Sequence, residues 1–484
     1  MKLRLHPIAA ASVIAVMLSA TMLAGCAVGP DYRKPDVDMP VTWQLDAPWR
    51  QGTPSDTHAK GAWWERFGDA KLNALQEQAL SGNQTLAFAA ARLTQARATA
   101  NSVSAGMYPQ VSTGVRASRL RIAGNRPLTN YNSPNFATVQ NDFALGLNTS
   151  YEVDLFGRVQ RNVEGARASA EQSAADLENT RLLLSADLAT NYFNLRELDV
   201  ELDVLSRSIE LQRKALELAT SRHDLGATSG LDVAQQQALL DTTLTQVDVL
   251  RKARSQYEHA IATLTGTPAP NFSLPPAMAP MTPPAVPIGI PSDLLERRPD
   301  IASAERAMAA SNAQIGVARA AFFPSVMLAP SYGVDSRNIE TLFNAPSVVW
   351  SLGVSLTQTL FDGGRISANV DFAKGGYEAA VANYRRIVLT AMQEVEDGIT
   401  GVSALDRAYA QAQAAIVSAR RVLDIANSRY EGGVATYLDV ITAQQSLLNS
   451  ERQAAQLMGQ RMLTSVFLIK ALGGDWPDAK LAQK

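Results

Sequence analysis

The chain is written twice. Setting Arg158 on Arg365 gives an offset of 207 residues (365 − 158). The same offset carries Arg222-His223-Asp224-Leu225-Gly226 onto Arg429-Tyr430-Glu431-Gly432-Gly433, Leu231-Asp232-Val233 onto Leu438-Asp439-Val440, and Gly266 onto Gly473. A register held without a gap from Arg158 to Gly266 describes a duplicated structural unit, so each copy must fold as the other does. Upstream, Tyr108-Pro109 aligns with Phe323-Pro324 at an offset of 215 (324 − 109), which leaves the first copy 215 − 207 = 8 residues longer. The extra residues are expected in the polar stretch Gly124 to Asn141, whose Arg126-Pro127 and Asn130-Tyr131-Asn132-Ser133-Pro134 read as a loop. Between the copies, Thr267 to Ser292 carries prolines at 268, 270, 275, 276, 280, 283, 284, 287 and 291 and reads as an extended tether.

Within each copy the hydrophobic period changes. From Phe143 to Asp154, Phe143, Leu145, Leu147, Tyr151 and Val153 alternate with small and polar residues. In the second copy Trp350, Leu352, Val354, Leu356 and Leu360 oppose Ser351, Gly353, Ser355, Thr357 and Thr359. These period-two strands pair with earlier alternating stretches, Val111 to Ile122 and Val326 to Val334, to give one long hairpin per copy. Such runs reach the ~9 to 11 residues a membrane-spanning strand needs, and the small polar face suits a water-filled lumen. Four strands cannot close a barrel, since transmembrane barrels start at about eight, so the chain must oligomerise as a dimer of eight strands or a trimer of twelve.

Past Arg158 the period becomes helical and stays so to about Asp224. Leu188, Leu195, Leu202, Ile209 and Leu216 recur every seven residues, with Leu184, Leu198, Leu205 and Ala219 near the complementary seam. The offset of 207 turns the first set into Val395, Val402, Tyr409, Ile416 and Leu423, so the heptad survives duplication. At 1.5 Å per residue this helix is a rod of about 100 Å. The return helix, about Leu231 to Leu264, covers half of it. The rest is expected from the helices leading into the hairpins, about Leu72 to Gly106 and Asp300 to Ala321.

The N-terminus reads as an export signal, with Lys2 and Arg4 before an apolar run from Ala9 to Leu23 that ends in the lipobox Leu23-Ala24-Gly25-Cys26. Cys26 is the one cysteine in the sequence, which excludes a disulfide framework and a thiolate metal site; its expected role is as lipid anchor, carrying diacylglycerol and palmitate. Ala27, rather than an aspartate, follows it, a pattern that resembles lipoproteins sorted to the outer membrane. Removing residues 1–25 leaves 44 − 2 = 42 basic against 46 acidic residues, which implies no nucleic-acid partner. No apolar run after Cys26 reaches the ~18 residues of a spanning helix.

In combination, Cys26-Ala27-Val28-Gly29-Pro30-Asp31-Tyr32, Tyr151-Glu152-Val153-Asp154-Leu155-Phe156-Gly157-Arg158, Leu295-Glu296-Arg297-Arg298-Pro299-Asp300-Ile301 and Leu360-Phe361-Asp362-Gly363-Gly364-Arg365 resemble the TolC-type outer-membrane factors. The likeness is to their OprM/NodT-like lipoprotein branch, the outer-membrane subunits of drug-efflux pumps, and covers nearly all of the mature chain. It implies an α+β membrane protein and a homotrimer whose twelve-stranded barrel continues into a twelve-helix periplasmic tunnel. It further implies a passive duct in outer-membrane lipid, joined by a periplasmic adaptor to an inner-membrane pump of the RND type, with no enzymatic activity. The expected layout is a signal over 1–25, an arm over 26–68 and a first repeat over 69–266 with hairpin at about 109–155 and tip at 225–230. The linker over 267–292 follows, then a second repeat over 293–473 with hairpin at about 324–361 and tip at 432–437, and a tail over 474–484. Trp43, Trp49, Trp63 and Trp64 of the arm, the tether and the tail would wrap the tunnel at its waist, the tryptophans as packing anchors.

The resemblance places the gate at the helical tips. Asp439 matches the acidic position of the narrowest ring, and Asp232, its equivalent in copy one, a position that helps hold the tip shut. Tyr430 matches a position tying neighbouring coils together. Either aspartate also suits a helix-capping role. Three Asp439 carboxylates around one axis would disfavour each other's ionised form and attract cations. The sequence departs from the family pattern where Ala435 replaces an arginine and Thr442 a second acid, so a single acidic ring and a differently built lock are expected. Leu225, Gly226 and Ala227, and less closely Gly432, Gly433 and Val434, resemble the adaptor-docking motif.

An enzyme would need convergent chemistry, and the mature chain offers His58, His223 and His259 without metal spacing. Asp362-Gly363-Gly364-Arg365 lacks the lysine of a phosphate loop and reads as a strand-to-helix turn. A duct for type I protein secretion would share the architecture; a periplasmic coiled-coil adaptor or structural protein would lack the paired amphipathic strands.

Overall fold

The computed structural model describes residues 29–34, 61–123, 138–278, 281–286 and 297–474. Cys26, Trp43, Trp49, His58, Leu295-Glu296 and the tail beyond Gly474 lie outside the described residues. Contacts divide the chain into two compact units, one from Met1–Pro35, Leu93–Ser173 and Ala304–Tyr384, the other from Asp36–Arg92, Ala174–Ser303 and Arg385–Lys484.

The first unit holds the sheet. Strands β1 (Gln110–Ile122) and β2 (Thr138–Val153) form a hairpin of unbroken antiparallel register from Gln110 opposite Ser150 to Ile122 opposite Thr138. Beyond β2 lie β3 (Ser325–Leu328) and β4 (Ser331–Ser336), and beyond these β6 (Val354–Thr357) and β5 (Val348–Ser351). The order is thus four strand tracks, β1, β2, β3/β4 and β5/β6, every neighbouring pair antiparallel.

Two expectations are corrected here. The loop expected to run to Asn141 gives way to strand at Thr138, because Thr138 to Asn141 find ladder partners in Arg119 to Ile122. The second hairpin, expected as two continuous strands, is interrupted at Ala329-Pro330 and Leu352-Gly353, and its last strand ends at Thr357, short of Leu360. Pro330 has no N–H to give the ladder. Single bonds from Thr149 N–H to the Pro330 carbonyl (2.9 Å) and from Ala329 N–H to the Gly353 carbonyl (2.9 Å) keep the halves in line.

The alternation sorts the sheet into two faces. Val111, Val115, Phe143, Leu145, Leu147, Val334, Trp350, Val354 and Leu356 share one, and many of them stand open: Val115 is 81% and Trp350 74% exposed. The other carries Ser112, Asn148, Ser331 and Ser351 and an ion pair of Arg116 with Asp142 at 2.9 Å.

Helices make up the second unit and part of the first. α1 (Ala70–Gly82) and α2 (Gln84–Ser104) replace the single helix expected from Leu72 to Gly106. Asn83 breaks it: its Oδ1 accepts from Leu86 N–H (2.9 Å), capping α2, while its Nδ2 donates to the Leu264 carbonyl (2.9 Å). α3 (Arg158–Asp224) and α4 (Gly230–Leu264) are matched by α6 (Arg365–Glu431) and α7 (Tyr437–Ala471), of 67 and 35 residues in both copies. α5 (Pro299–Ala320) leads into the second hairpin. The heptad is a packed seam: Leu188, Leu195 and Leu205 are fully buried, and Val204, Ile209, Leu240, Val247 and Leu448 close around the last of these. Trp63 is buried too, its Nε1 donating to Ser185 Oγ at 3.1 Å, which makes it a packing anchor.

The described part of the tether is extended apart from one 3₁₀ turn at Ala269–Asn271. Ions hold it to the helices: Arg196 reaches Asp199 (2.8 Å) and the Pro275 carbonyl (2.8 Å), Arg254 reaches Asp199 (2.6 Å), and Asp199 accepts from Ala277 N–H (3.2 Å). In the second copy Arg298 binds Asp300 (2.7 Å), Glu394 (2.6 Å) and the Ala471 carbonyl (3.0 Å), the structural use of the Arg-Arg-Pro-Asp motif.

One half-buried acid works against this packing. Burial, then the neighbouring Glu201, pushes the Glu197 carboxyl up to about 7, and Arg452 is spent on Glu201 at 2.6 Å. A raised folded-state value means that stability is lost as pH rises toward and through 7. Replacing Glu197→Gln should therefore raise stability above pH 7 by up to about 3 kcal/mol per chain, and the unfolding temperature with it, with little effect near pH 5. Thermal unfolding across pH checks it.

Candidate gate and docking tips

Each helical hairpin reverses in a few residues. At the end of α3, Gly226 N–H donates to the His223 carbonyl (2.8 Å) and Ala227 N–H to that of Arg222 (2.8 Å); at the end of α6, Gly433 N–H donates to Tyr430 (3.1 Å) and Val434 N–H to Arg429 (3.0 Å). Both glycines take φ of +73°, which side chains resist, so glycine is what lets these turns form. The next helices are capped by Ser229, whose Oγ accepts from Leu231 N–H at 3.1 Å, and by Thr436.

The two acids sit at equivalent places, one on each return helix. Asp232 Oδ2 accepts from the Thr228 hydroxyl at 2.7 Å; Asp439 Oδ2 accepts from the Thr436 hydroxyl and N–H, each at 2.9 Å. Within one chain both therefore stabilise helix starts, where the helix dipole favours a carboxylate. Asp439 is exposed and Asp232 half-buried. Leu225 (84% exposed), Leu231, Val434 and Leu438 present apolar side chains at the turns.

Tyr430 stands inside a cluster that joins the copies. Arg222 of α3 lies over its ring at 5.2 Å, and the ring of Tyr437 packs beside it at 5.1 Å. Tyr437 is buried among Leu239, Ala426, Val440 and Ile441, and its hydroxyl donates to Gln236 Oε1 of α4 at 3.1 Å. Gln236 in turn donates to the Gln212 carbonyl of α3 at 3.0 Å. Burial, then Tyr430 and Asp232, pushes the Tyr437 phenol up to about 12, so it remains a donor at any physiological pH. A cleft of ≈ 380 Å³ opens along Arg222, Asn427, Tyr430, Tyr437 and Gln444.

Sequence reasoning singled out Tyr430 but not Arg222, Gln236 or Tyr437. A signal was there: the offset of 207 sets Tyr430 and Tyr437 on His223 and Gly230, so the tips differ most where the cluster is built. His223 packs near Gly230, with its Nδ1 3.6 Å from Asp224. Among the described residues no group of three or more His, Cys, Asp or Glu could hold a metal, and no helix is long and apolar enough to cross a membrane.

Comparisons with known proteins agree in kind. The family described as "outer membrane efflux protein" matches residues 75–267 and 290–474. The pyoverdine export outer membrane protein OpmQ of Pseudomonas aeruginosa is 32% identical over 464 residues, 95% of this chain and 96% of its own. The toluene efflux pump outer membrane protein TtgF of Pseudomonas putida is 32% identical over 463 residues, 94% and 95% of the two chains. Among solved structures, the outer-membrane channel OprN superimposes with a TM-score of 0.84 at 32% identity, covering 93% of this chain and 100% of that one. The open state of the Neisseria gonorrhoeae MtrE channel gives 0.80 at 28% identity, covering 93% and 98%.

Replacing Tyr437→Phe removes the hydroxyl bond to Gln236 and leaves a buried acceptor unpaired, at a cost of about 1–2 kcal/mol. Amide hydrogen exchange in α4 and α7 near the turns is expected to speed up roughly tenfold, with the rest of the helices unchanged.

Proposed function

The chain belongs to the outer membrane efflux protein family, and on that premise we propose that three copies close a twelve-stranded barrel in the outer membrane, continued by twelve periplasmic helices. The protein is a passive outer-membrane channel subunit of a tripartite efflux pump rather than an enzyme. The observation that carries this reading is the open sheet. Among the described residues, β1 and the β5/β6 track each lack a neighbour on their outer side, and the exposed face is apolar. In lipid such edges must be paired, which a single chain cannot do.

Relatives named for toluene efflux, antibiotic efflux and pyoverdine export support small molecules as cargo. An RND-type inner-membrane pump and a periplasmic adaptor complete the path, the adaptor meeting the exposed apolar tips at Leu225-Gly226-Ala227 and Gly432-Gly433-Val434. Asp439 would form the narrowest ring, with Asp232 and Tyr430 holding the tip closed. MtrE, a solved relative, has an open state, which supports a tip that moves.

Cys26 is the lipid anchor in this reading. It precedes Gly29 by three residues, a reach of at most about 11 Å. Gly29 packs on the backbone of Gly316, one turn before α5 ends and leads to β3, and the chain continues through Asp31, which binds Arg161 at 2.7 Å. An acyl chain there would enter the membrane beside the barrel's periplasmic rim.

Two experiments test the proposal. In planar bilayers the wild type should show a small, cation-preferring conductance damped by divalent cations. In Asp439→Ala the conductance should rise and lose that preference; an unchanged mutant would remove Asp439 from the gate. Intact-mass measurement should show a mature chain beginning at acylated Cys26, and Cys26→Ala should stay unprocessed; an unacylated wild type would exclude the anchor.

A further inference from the structure

The apolar face of the sheet has a measurable height. Rows of register partners run from Val153, Val326 and Leu356 at the helix-linked end, through Tyr151, Leu328 and Val354, to Phe143 and Ala117. From the first to the last of these rows β2 advances ten residues, from Val153 to Phe143. At ~3.4 Å per residue and a strand tilt of ~40°, that is about 26 Å, the height of the apolar band of an outer-membrane barrel.

Beyond this band the pattern of β1 inverts without a break in register. Val111, Thr113, Val115 and Ala117 occupy the apolar face; the next residues on that face are Arg119 and Arg121, opposite Asn141 and Val139, while Leu120 takes the other parity. Both arginines are exposed. No bulge has flipped the strand, because each residue keeps a single partner from Gln110 to Ile122. The arginines therefore stand on the outward surface, one and two rows above the hydrocarbon, where a charge costs ~0–1 kcal/mol instead of the ~2–4 it costs at the midplane.

Resting on the barrel reading above, we propose that Arg119 and Arg121, with Asn141, form a site for the phosphorylated sugar headgroup of an outer-leaflet glycolipid. The end of β1 away from the helices faces the outer leaflet. The backbone sets the two arginines about 7 Å apart along one face, near enough for both guanidiniums to reach one phosphorylated headgroup, each binding a phosphate oxygen pair as planar forks do. The Asn141 amide, directly across the ladder from Arg119, offers a donor and an acceptor to sugar hydroxyls. A trimer would carry three such sites.

The test uses the purified full-length trimer in detergent, with bis-phosphorylated lipid A and the same lipid after removal of its phosphates as probes, binding being read by native mass spectrometry. Wild type should hold the phosphorylated form on the order of tenfold more tightly or better, and the Arg119→Ala/Arg121→Ala double variant should lose that discrimination at unchanged conductance. The Arg119→Lys/Arg121→Lys variant should keep only part of it. A conducting wild-type trimer that fails to discriminate, or a double Ala variant that discriminates as well as wild type, overturns the site. A chain that neither trimerises nor conducts overturns the barrel and the site with it.

Discussion

Among the described residues, β1 has ladder partners on one side only, and so do β5 and β6. Every other feature of the sheet follows from that pair of unfilled edges. A row of free N–H and C=O groups is tolerable in water but costs several kcal/mol per group in hydrocarbon, and the face between the edges is too apolar for water. The two demands are met together when edges of different copies join. In the proposed trimer the contact would be head to tail, β1 of one copy against β5/β6 of the next, and such a contact closes into a ring when its rotation allows.

The helices meet a different constraint. Two 67-residue helices with 35-residue returns keep step because both copies preserve the heptad, and the tips reverse through glycines at φ of +73°. Buried charges are used where the chain leaves this regularity: Arg196, Asp199 and Arg254 pin the tether, and Arg298 pins the entry to the second copy. Removing one member of such a group strands the others out of water, which makes these points specific as well as stable.

Much of this was legible in the sequence because it is periodic. Alternation located β1 and β2, the seven-residue repeat located α3 and α6, and the copy offset gave the tips. What escaped was set by single side chains acting across long separations. Asn83 breaks a helix that periodicity joined, by capping one half and binding Leu264. Pro330 interrupts a strand whose alternation continues on both sides. Tyr437 is buried, with a hydroxyl bond whose partner, Gln236, lies 201 residues away. Asp232 and Asp439 lie in the first turns of α4 and α7, and their contacts within one chain are those of helix caps.

The central claim is that the sheet closes between copies, and cysteine cross-linking in outer-membrane preparations tests it most directly. Thr113→Cys on β1 would be combined in turn with cysteines placed along β5 and β6, from Val349→Cys to Leu356→Cys. At one register covalent dimers and trimers are expected on a denaturing gel, with the ladder ending at three. Bonds that form within single chains only, or a ladder that ends at two or runs past three, would contradict it.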